Sequence, residues 1–259
     1  MRHRRRRNAV DEHNAALVQR ITELKSLHPF WGYRRIWAHL RYIDGQDVNH
    51  KRVYRLLKEH DLLVTPNARL RAKRTSSRAK PRPTRPNEWW GIDMTKVLVQ
   101  DFGWLYIVLV VDWYTKKVVG HYVGMQCRAK HWFSALNDAA NRQFPDGING
   151  AGVSLMSDNG CQPTSTWFMR NCAAMGVRQA FTSYNNPKGN ADTERMFRTL
   201  KEELIWLKDW YSPQELEREL NSWVEGYNNS YLHSTLGYRP PNVAEASYYA
   251  DQMSTICVA

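Results

Sequence analysis

A mixed α/β sheet of five strands, flanked by helices and preceded by a small all-helical domain, is the architecture this sequence predicts. Three observations point to it. Between residues 14 and 65 apolar residues recur at helical spacing in three short segments. From Glu88 three β-rich runs follow one another across short turns. Helix and strand then alternate, the order that lays helices against both faces of a partly parallel sheet. With 259 residues, 42% hydrophobic and 12% aromatic, the chain can bury one good-sized core and a smaller second one, and its eleven Trp exclude disorder throughout.

The helical part begins with an amphipathic segment over roughly Ala15 to Leu27. PFWGYRRIWAHL opens a second helix after Pro29, and DVNHKRVYRLLKEHDLL gives a third with Asn49 as its N-cap. In the third, Val53, Leu56 and Leu57 face one way while His50, Lys51, Arg52 and Arg55 cluster in the first turns. A helix-turn-helix places its recognition helix against base edges and phosphates in this way; a small bundle with a solvated basic face would show the same pattern. Arg34 and Arg35 in the second helix are further candidate DNA contacts. Residues 66–87 hold four Pro and almost nothing apolar, which makes them a linker. Extended and basic, it can lie along a DNA backbone, with Arg71, Lys73 and Arg74 as its candidate contacts.

EWWGIDMTKVLV, WLYIVLVVDWYT and KVVGHYVG read as three antiparallel strands, joined by a turn at Asp101–Gly103 and a bend at Thr115–Lys117. A helix follows in AKHWFSALNDAANRQF, a strand in GVSLMSD, a helix in STWFMRNCAAMG and a short strand in VRQAFT. NPKGNADTERMFRTLKEEL then starts as a loop and becomes a helix whose core face is Met196, Phe197, Leu200, Leu204 and, just beyond, Leu207. Glu194, Arg198 and Lys201 line up beside that face at i, i+4 and i+7, while Glu202 and Glu203 read as solvated charges. Taken alone, Glu194 is equally an ordinary helix-surface partner for Arg198, worth about 0.3–0.5 kcal/mol. The domain boundaries that result are a basic segment 1–13, a helix-turn-helix domain 14–65, the linker 66–87, a core 88–210 and a C-terminal helical extension 211–259.

The net charge of +12 is unevenly spread. Five Arg in MRHRRRRN and eight Lys or Arg in residues 66–86 face no acid, whereas residues 87–259 hold fifteen basic and eighteen acidic groups. The excess thus lies in segments expected to be flexible, which usually track a polyanion such as nucleic acid. Cys127, Cys161, Cys172 and Cys257 show no metal-ligand spacing, which argues against zinc and for reduced thiols in a cytoplasmic protein. No secretory segment is evident, and the longest apolar run, LYIVLVV, is strand length, so no membrane is expected.

Asp93 sits inside the first strand run, in WWGIDMT, and Asp158 closes the fourth, in SLMSDNG. A carboxylate half buried in a sheet costs several kcal/mol unless something compensates it. If strands one and four are neighbours, the two converge and their repulsion calls for a hard divalent cation. Glu194, early in a helix that must pack on the sheet, could close such a site. Asp112, in VVDWYT, is expected to bond the following turn instead. His121 and His131 read as ordinary satisfied histidines, and Asn159 and Gly160 as shaping the loop after Asp158.

Thirty-five residues separate Asp158 from Glu194, and with Asp93 they resemble the D, D(35)E set of retroviral integrases and bacterial insertion-sequence transposases. SDNGCQPTS, NNPKGNADTERMFRTLKEEL and YNNSYLHSTLGYRPP are similar to the second-frame (OrfB-type) transposases of the two-frame IS-three family; HPFWGYRRIWAHLR and VNHKRVYRLLKEHDLL resemble their helix-turn-helix region. The resemblance covers residues 14 to about 245. It implies a ribonuclease-H-like core in which Asp93, Asp158 and Glu194 are catalytic and bind two Mg²⁺ or Mn²⁺ ions, with Arg198 and Lys201 contacting the element-end DNA. It further implies metal-dependent strand cleavage and strand transfer in a copy-out, paste-in route. One strand is cut at an element end, its 3′-OH attacks the other end, and the circle is later inserted into a target. Implied partners are double-stranded DNA (element ends and target), a homodimer or higher synaptic assembly, and the upstream-frame product, in the bacterial cytoplasm at the nucleoid. The chain departs from the family pattern at Tyr231, where Arg is common, and at Gly189, where Asp is common, so His233 is left without a role.

Overall fold

A computed structural model describes residues 2–64, 81–182 and 190–256, with side chains from residue 14 to 254. The chain forms two compact units, Met1–Lys73 and Arg74–Ala259.

Unit one contains α1 (Arg2–Leu27), α2 (Tyr33–Tyr42) and α3 (His50–Glu59). Leu17, Ile21 and Leu24 of α1 pack with Ile36 and Leu40 of α2, Val48, and Val53, Leu56 and Leu57 of α3. Asn49 caps α3 as expected, its side-chain oxygen accepting the Lys51 N–H at 2.8 Å. Two expectations change. The basic start is helical from Arg2 rather than flexible, since Arg is a good helix former and neither Gly nor Pro interrupts the run. The second helix begins at Tyr33, capped by Gly32, because His28 stacks flat on Trp31 at 3.8 Å and holds residues 28–31 in a turn.

Unit two is built on five strands: β1 (Trp89–Val99), β2 (Gly103–Asp112), β3 (Val118–Gly124), β4 (Ser154–Ser157) and β5 (Arg178–Phe181), in the order β3-β2-β1-β4-β5. The first three are antiparallel and the last two join in parallel, giving the expected mixed sheet. Helices α4 (Ala129–Gln143) and α5 (Thr166–Ala174) cover one face, burying Trp90, Ile92, Val108 and Val110 with Trp132, Leu136 and Phe168. On the other face, α6 (Ala191–Glu203) and α7 (Pro213–Ser230) enclose Val97, Val99, Leu105, Ile107 and Leu109. The period-two alternation of β1 and β2 thus feeds two separate cores. A last helix, α8 (Pro241–Ile256), follows α7.

Three side chains depart from expectation. Leu207 is 44% exposed because α6 ends at Glu203 and a 3-10 turn, Ile205–Leu207, breaks the helical phase. Glu202 is not a freely solvated charge: Arg198 Nε reaches it at 2.9 Å across one helical turn and leaves its side chain 19% exposed. Glu203 is likewise only partly exposed. Of the linker, residues 65–80, with Arg71, Lys73 and Arg74, lie outside the described residues. Residues 81–87 run into the second unit, where Pro86 and Asn87 are buried.

Candidate active site

Pairing of β1 with β4 sets Trp89 beside Ser154, Trp90 beside Leu155 and Gly91 beside Met156. Carried two residues further, this register brings Asp93 alongside Asp158, at the point where β4 ends and the ladder opens. The expected convergence of the first and fourth strands is therefore present. Past that point the chain turns into a loop whose Gly160 N–H donates to Asp158 Oδ1 at 3.1 Å, and Asn159 Nδ2 ties the loop to the Thr182 carbonyl at 2.6 Å.

The third carboxylate depends on how closely α6 can approach β1. Gly91 shares a strand face with Asp93, and a Cβ added there would lie 2.0 Å from Thr193 Oγ1 and 2.4 Å from Trp113 Nε1. With no side chain in the way, α6 rests on the strand, and Trp113 Nε1 donates to Thr193 Oγ1 at 3.1 Å inside the contact. Trp113 itself stacks on Trp89 with ring centroids 6.0 Å apart. One residue before Thr193, Asp192 pairs with Lys116 Nζ at 3.2 Å. Lys116 adopts a left-handed backbone (φ 62°) in the β2–β3 turn, and its carbonyl accepts the Tyr227 hydroxyl at 3.0 Å. His233, unassigned from sequence, lies 2.5 Å from that hydroxyl through Nε2. The C-terminal segment thus braces the turn that holds the start of α6, and Glu194 is the next residue along.

The electrostatics match this placement. Asp93 is pushed up to about 6, first by burial and then by the negative charges of Asp158 and Glu194, against the Met94 N–H it accepts at 2.8 Å and the Lys201 charge. The charges of Asp158, Glu194 and Lys201 thus all reach Asp93. Among the described residues, however, no three carboxylate, imidazole or thiol groups stand close enough to hold one ion. Glu194 is exposed on its helix. Three oxygen donors, one of them largely desolvated and repelled by the others, are a donor set suited to a hard divalent cation.

The other sequence candidates fall elsewhere. Arg198 is exposed and bound to Glu202, not to Glu194, so the simple Glu194–Arg198 pair is absent. Asp112 behaves as expected of a turn cap: Oδ1 accepts from Tyr114 N and Thr115 N, and Oδ2 from Asn87 N. His121 bonds Asn221 at 2.7 Å, and His131 Nδ1 accepts the Arg128 N–H at 2.9 Å. In the first unit, Lys51 is exposed, Arg55 reaches Glu59 at 3.8 Å, and Arg34 lies over the Tyr33 ring at 5.6 Å. Arg35 lies over the Trp31 ring at 5.8 Å, His50 meets the Trp37 ring edge-on at 5.9 Å, and Arg52 is tied to Asn14 at 2.7 Å. Sequence reasoning missed Gly91, Trp113, Thr193 and the Lys116–Asp192 pair. Only Gly91 carried a signal, since a lone glycine inside a strand run marks close backbone approach.

Residues 83–187 and 175–241 each match an integrase core domain family, and residues 12–69 match an HTH-like domain. Integrase core domain models thus match successive parts of the second unit, with an HTH-like domain match ahead of them in the sequence. The chain's relatives are insertion-element proteins. They include the insertion element IS407 uncharacterized 31.7 kDa protein of Burkholderia multivorans, 28% identical over 242 residues (93% of this chain, 84% of that protein). The transposase for insertion sequence element IS629 of Shigella sonnei is 28% identical over 242 residues (90% and 79%). Among solved structures, a chain of the simian T-cell lymphotropic virus intasome in complex with PP2A regulatory subunit B56 gamma superimposes with a TM-score of 0.52. That match has 15% identity and covers 87% of this chain and 74% of the other, which establishes the shared fold.

Proposed function

We propose that this protein is a DNA transposase that cuts and joins insertion-element ends through Asp93, Asp158 and Glu194, which hold two Mg²⁺ or Mn²⁺ ions. The observation that carries the reading is the parallel β1–β4 register, which sets Asp93 beside Asp158 while Gly91 lets α6 bring Glu194 into charge range. The integrase core domain matches and the likeness to an insertion-element transposase support the class of chemistry, transfer of a polynucleotide strand.

Asp93 and Asp158 provide the fixed half of the donor set and Glu194 the movable half. When bound, the ions supply activation of the attacking oxygen and charge neutralisation at the leaving one. The same site serves cleavage and joining, because water and a DNA 3′-OH are interchangeable attackers on a phosphodiester. Lys201, close enough to act on Asp93, holds the element-end backbone beside the carboxylates, and exposed Arg198 lies one turn nearer Glu194 on the same strip. The helix-turn-helix-like domain binds element ends through the first turns of α3, with Lys51 and Arg55 the side chains best placed to reach outward. Two ends must be held together for joining, which calls for a dimer or larger assembly.

Incubating the full chain with labelled element-end duplexes and Mg²⁺ tests the proposal. Joined strands are expected from the wild type; Glu194→Gln should bind ends with nearly unchanged affinity and join none. Cut but unjoined strands would instead indicate a nuclease, and binding alone a regulator derived from a transposase.

A further inference from the structure

We infer that His233 is a positioning residue for Glu194, acting through the Tyr227 hydroxyl and the β2–β3 turn. This rests on the proposed reading that Glu194 works on DNA as one of the three carboxylates.

The start of α6 is not fixed by a cap of its own. Asn190, the N-cap residue, makes no side-chain cap bond, and among the described residues neither atom of its buried amide has a hydrogen-bond partner. A helix end left in this way takes its position from what packs against it. Here that is the β2–β3 turn, which grips the two residues before Glu194: Lys116 Nζ reaches Asp192 at 3.2 Å, and the Trp113 indole donates to Thr193 Oγ1 at 3.1 Å. Lys116 Nζ donates to the Trp113 carbonyl as well, so the two grips move together.

By itself the turn is a poor anchor. Lys116 holds a left-handed backbone (φ 62°), which a residue with a Cβ adopts at a cost, and the β2–β3 ladder shifts register between Val110 and Val111 just before the turn. Support comes from α7. Tyr227 Oη donates to the Lys116 carbonyl at 3.0 Å, and the next residue, Asn228, takes Val118 from both sides, accepting its N–H at 3.0 Å and donating to its carbonyl at 2.9 Å. These two residues open YNNSYLHSTLGYRPP, a stretch to which the three carboxylates assign no task.

His233 decides how the Tyr227 hydroxyl is spent. That hydroxyl has one proton, and the Lys116 carbonyl can only accept, so the proton goes to Lys116 and His233 Nε2, 2.5 Å from the same oxygen, must be the donor. An imidazole protonated at Nε2 therefore keeps Tyr227 turned to Lys116; a bare Nε2 would compete for the proton and release the turn. The loop holds the ring in place for this. His233 N–H donates to the Arg239 carbonyl at 3.4 Å, its own carbonyl accepts from Leu236 N at 3.0 Å and Tyr238 N at 2.7 Å, and its ring packs on Tyr231 with centroids 4.7 Å apart.

The test measures metal-dependent joining of labelled element ends by variants of the full chain, with end binding and thermal denaturation beside it. His233→Gln keeps an N–H near the place of Nε2 and discards the ring, whereas His233→Phe keeps a ring and discards the N–H. The joining rate should fall about tenfold in His233→Phe and in Tyr227→Phe, roughly the weight of one hydrogen bond, with end affinity unchanged, and His233→Gln should recover most of it. Tyr227→Phe combined with His233→Phe should be no slower than either alone, because one relay can be broken only once. His233 is half-buried, so both of its variants should fold even if Tyr227→Phe, in the core, does not. Full activity in His233→Phe, no recovery in His233→Gln, additive losses, or losses matched by end affinity would each overturn the inference. Should no form of the chain, wild type included, cut or join DNA, the proposed function falls, and the relay is then read without DNA. Amide exchange of Glu194, whose N–H closes the first turn of α6 on the Asn190 carbonyl at 3.0 Å, should be faster in His233→Phe than in the wild type and His233→Gln; equal exchange in all three would overturn the relay itself.

Discussion

Gly91→Ala probes the contact on which the third carboxylate depends. The added methyl would stand 2.0 Å from Thr193 Oγ1, 2.4 Å from Trp113 Nε1 and 3.0 Å from Trp113 Cε2. Ordinary contact needs about 3.5 Å, so α6 must retreat from β1 by roughly 1.5 Å or the Trp113 ring must leave its place. Losing the Trp113–Thr193 hydrogen bond costs about 1 kcal/mol and overpacking about 1–3 more, so the variant should still fold, with its melting temperature lowered by roughly 4–16 °C. The catalytic loss should be larger in proportion. A displacement of about 1 Å at a reacting group costs ~10²-fold, and Glu194 follows Thr193 directly. Thr193→Ala is the control, because it removes the same hydrogen bond without pushing the helix; it should lose stability and little activity. Metal-dependent joining of labelled ends, alongside thermal denaturation and end binding, reads all three quantities. If Gly91→Ala joined strands as well as Thr193→Ala does, the helix–strand contact would have no part in placing Glu194.

Stability should also depend on pH through Asp93. With its folded pKa raised to about 6 from an ordinary 3.8, the folded state keeps a proton that the unfolded chain has released, so the Asp93 contribution to metal-free stability is fully present below about pH 4 and is lost as pH rises through 6. Asp93→Asn should therefore be more stable than the wild type at pH 7 by up to about 3 kcal/mol, a gain that disappears near pH 4 in denaturant titrations. Asp112→Ala leaves the backbone N–H groups of Asn87, Tyr114 and Thr115 without their acceptor in a fully buried position, and should cost at least ~3 kcal/mol by urea denaturation. Lys201→Ala should weaken end binding and reduce the slope of affinity against salt by about one; an unchanged slope would separate Lys201 from the phosphates.

Much of this arrangement is legible in the sequence because two periodicities, of two and of 3.6, mark its elements, and because a carboxylate inside a strand run is anomalous enough to be noticed. Asp93 and Asp158 stand out for that reason. Asp112, equally anomalous, resolves correctly as a turn cap because the following residues offer N–H groups at the right distance along the chain. What the sequence conceals is contact between distant segments. Nothing in NADTERMF shows that Thr193 will meet an indole eighty residues upstream, or that Asp192 will pair with a lysine in a β-turn. The same limit explains Arg198: helical spacing offers it Glu194 and Glu202 equally, one turn away on either side, and the structure gives it to Glu202. Among the described residues, Glu194 is thereby left without a competing partner. A catalytic carboxylate held in a salt bridge would have to give up that pair before taking a metal, whereas one left exposed beside a repelling Asp93 and Asp158 has most to gain from the arrival of a divalent ion.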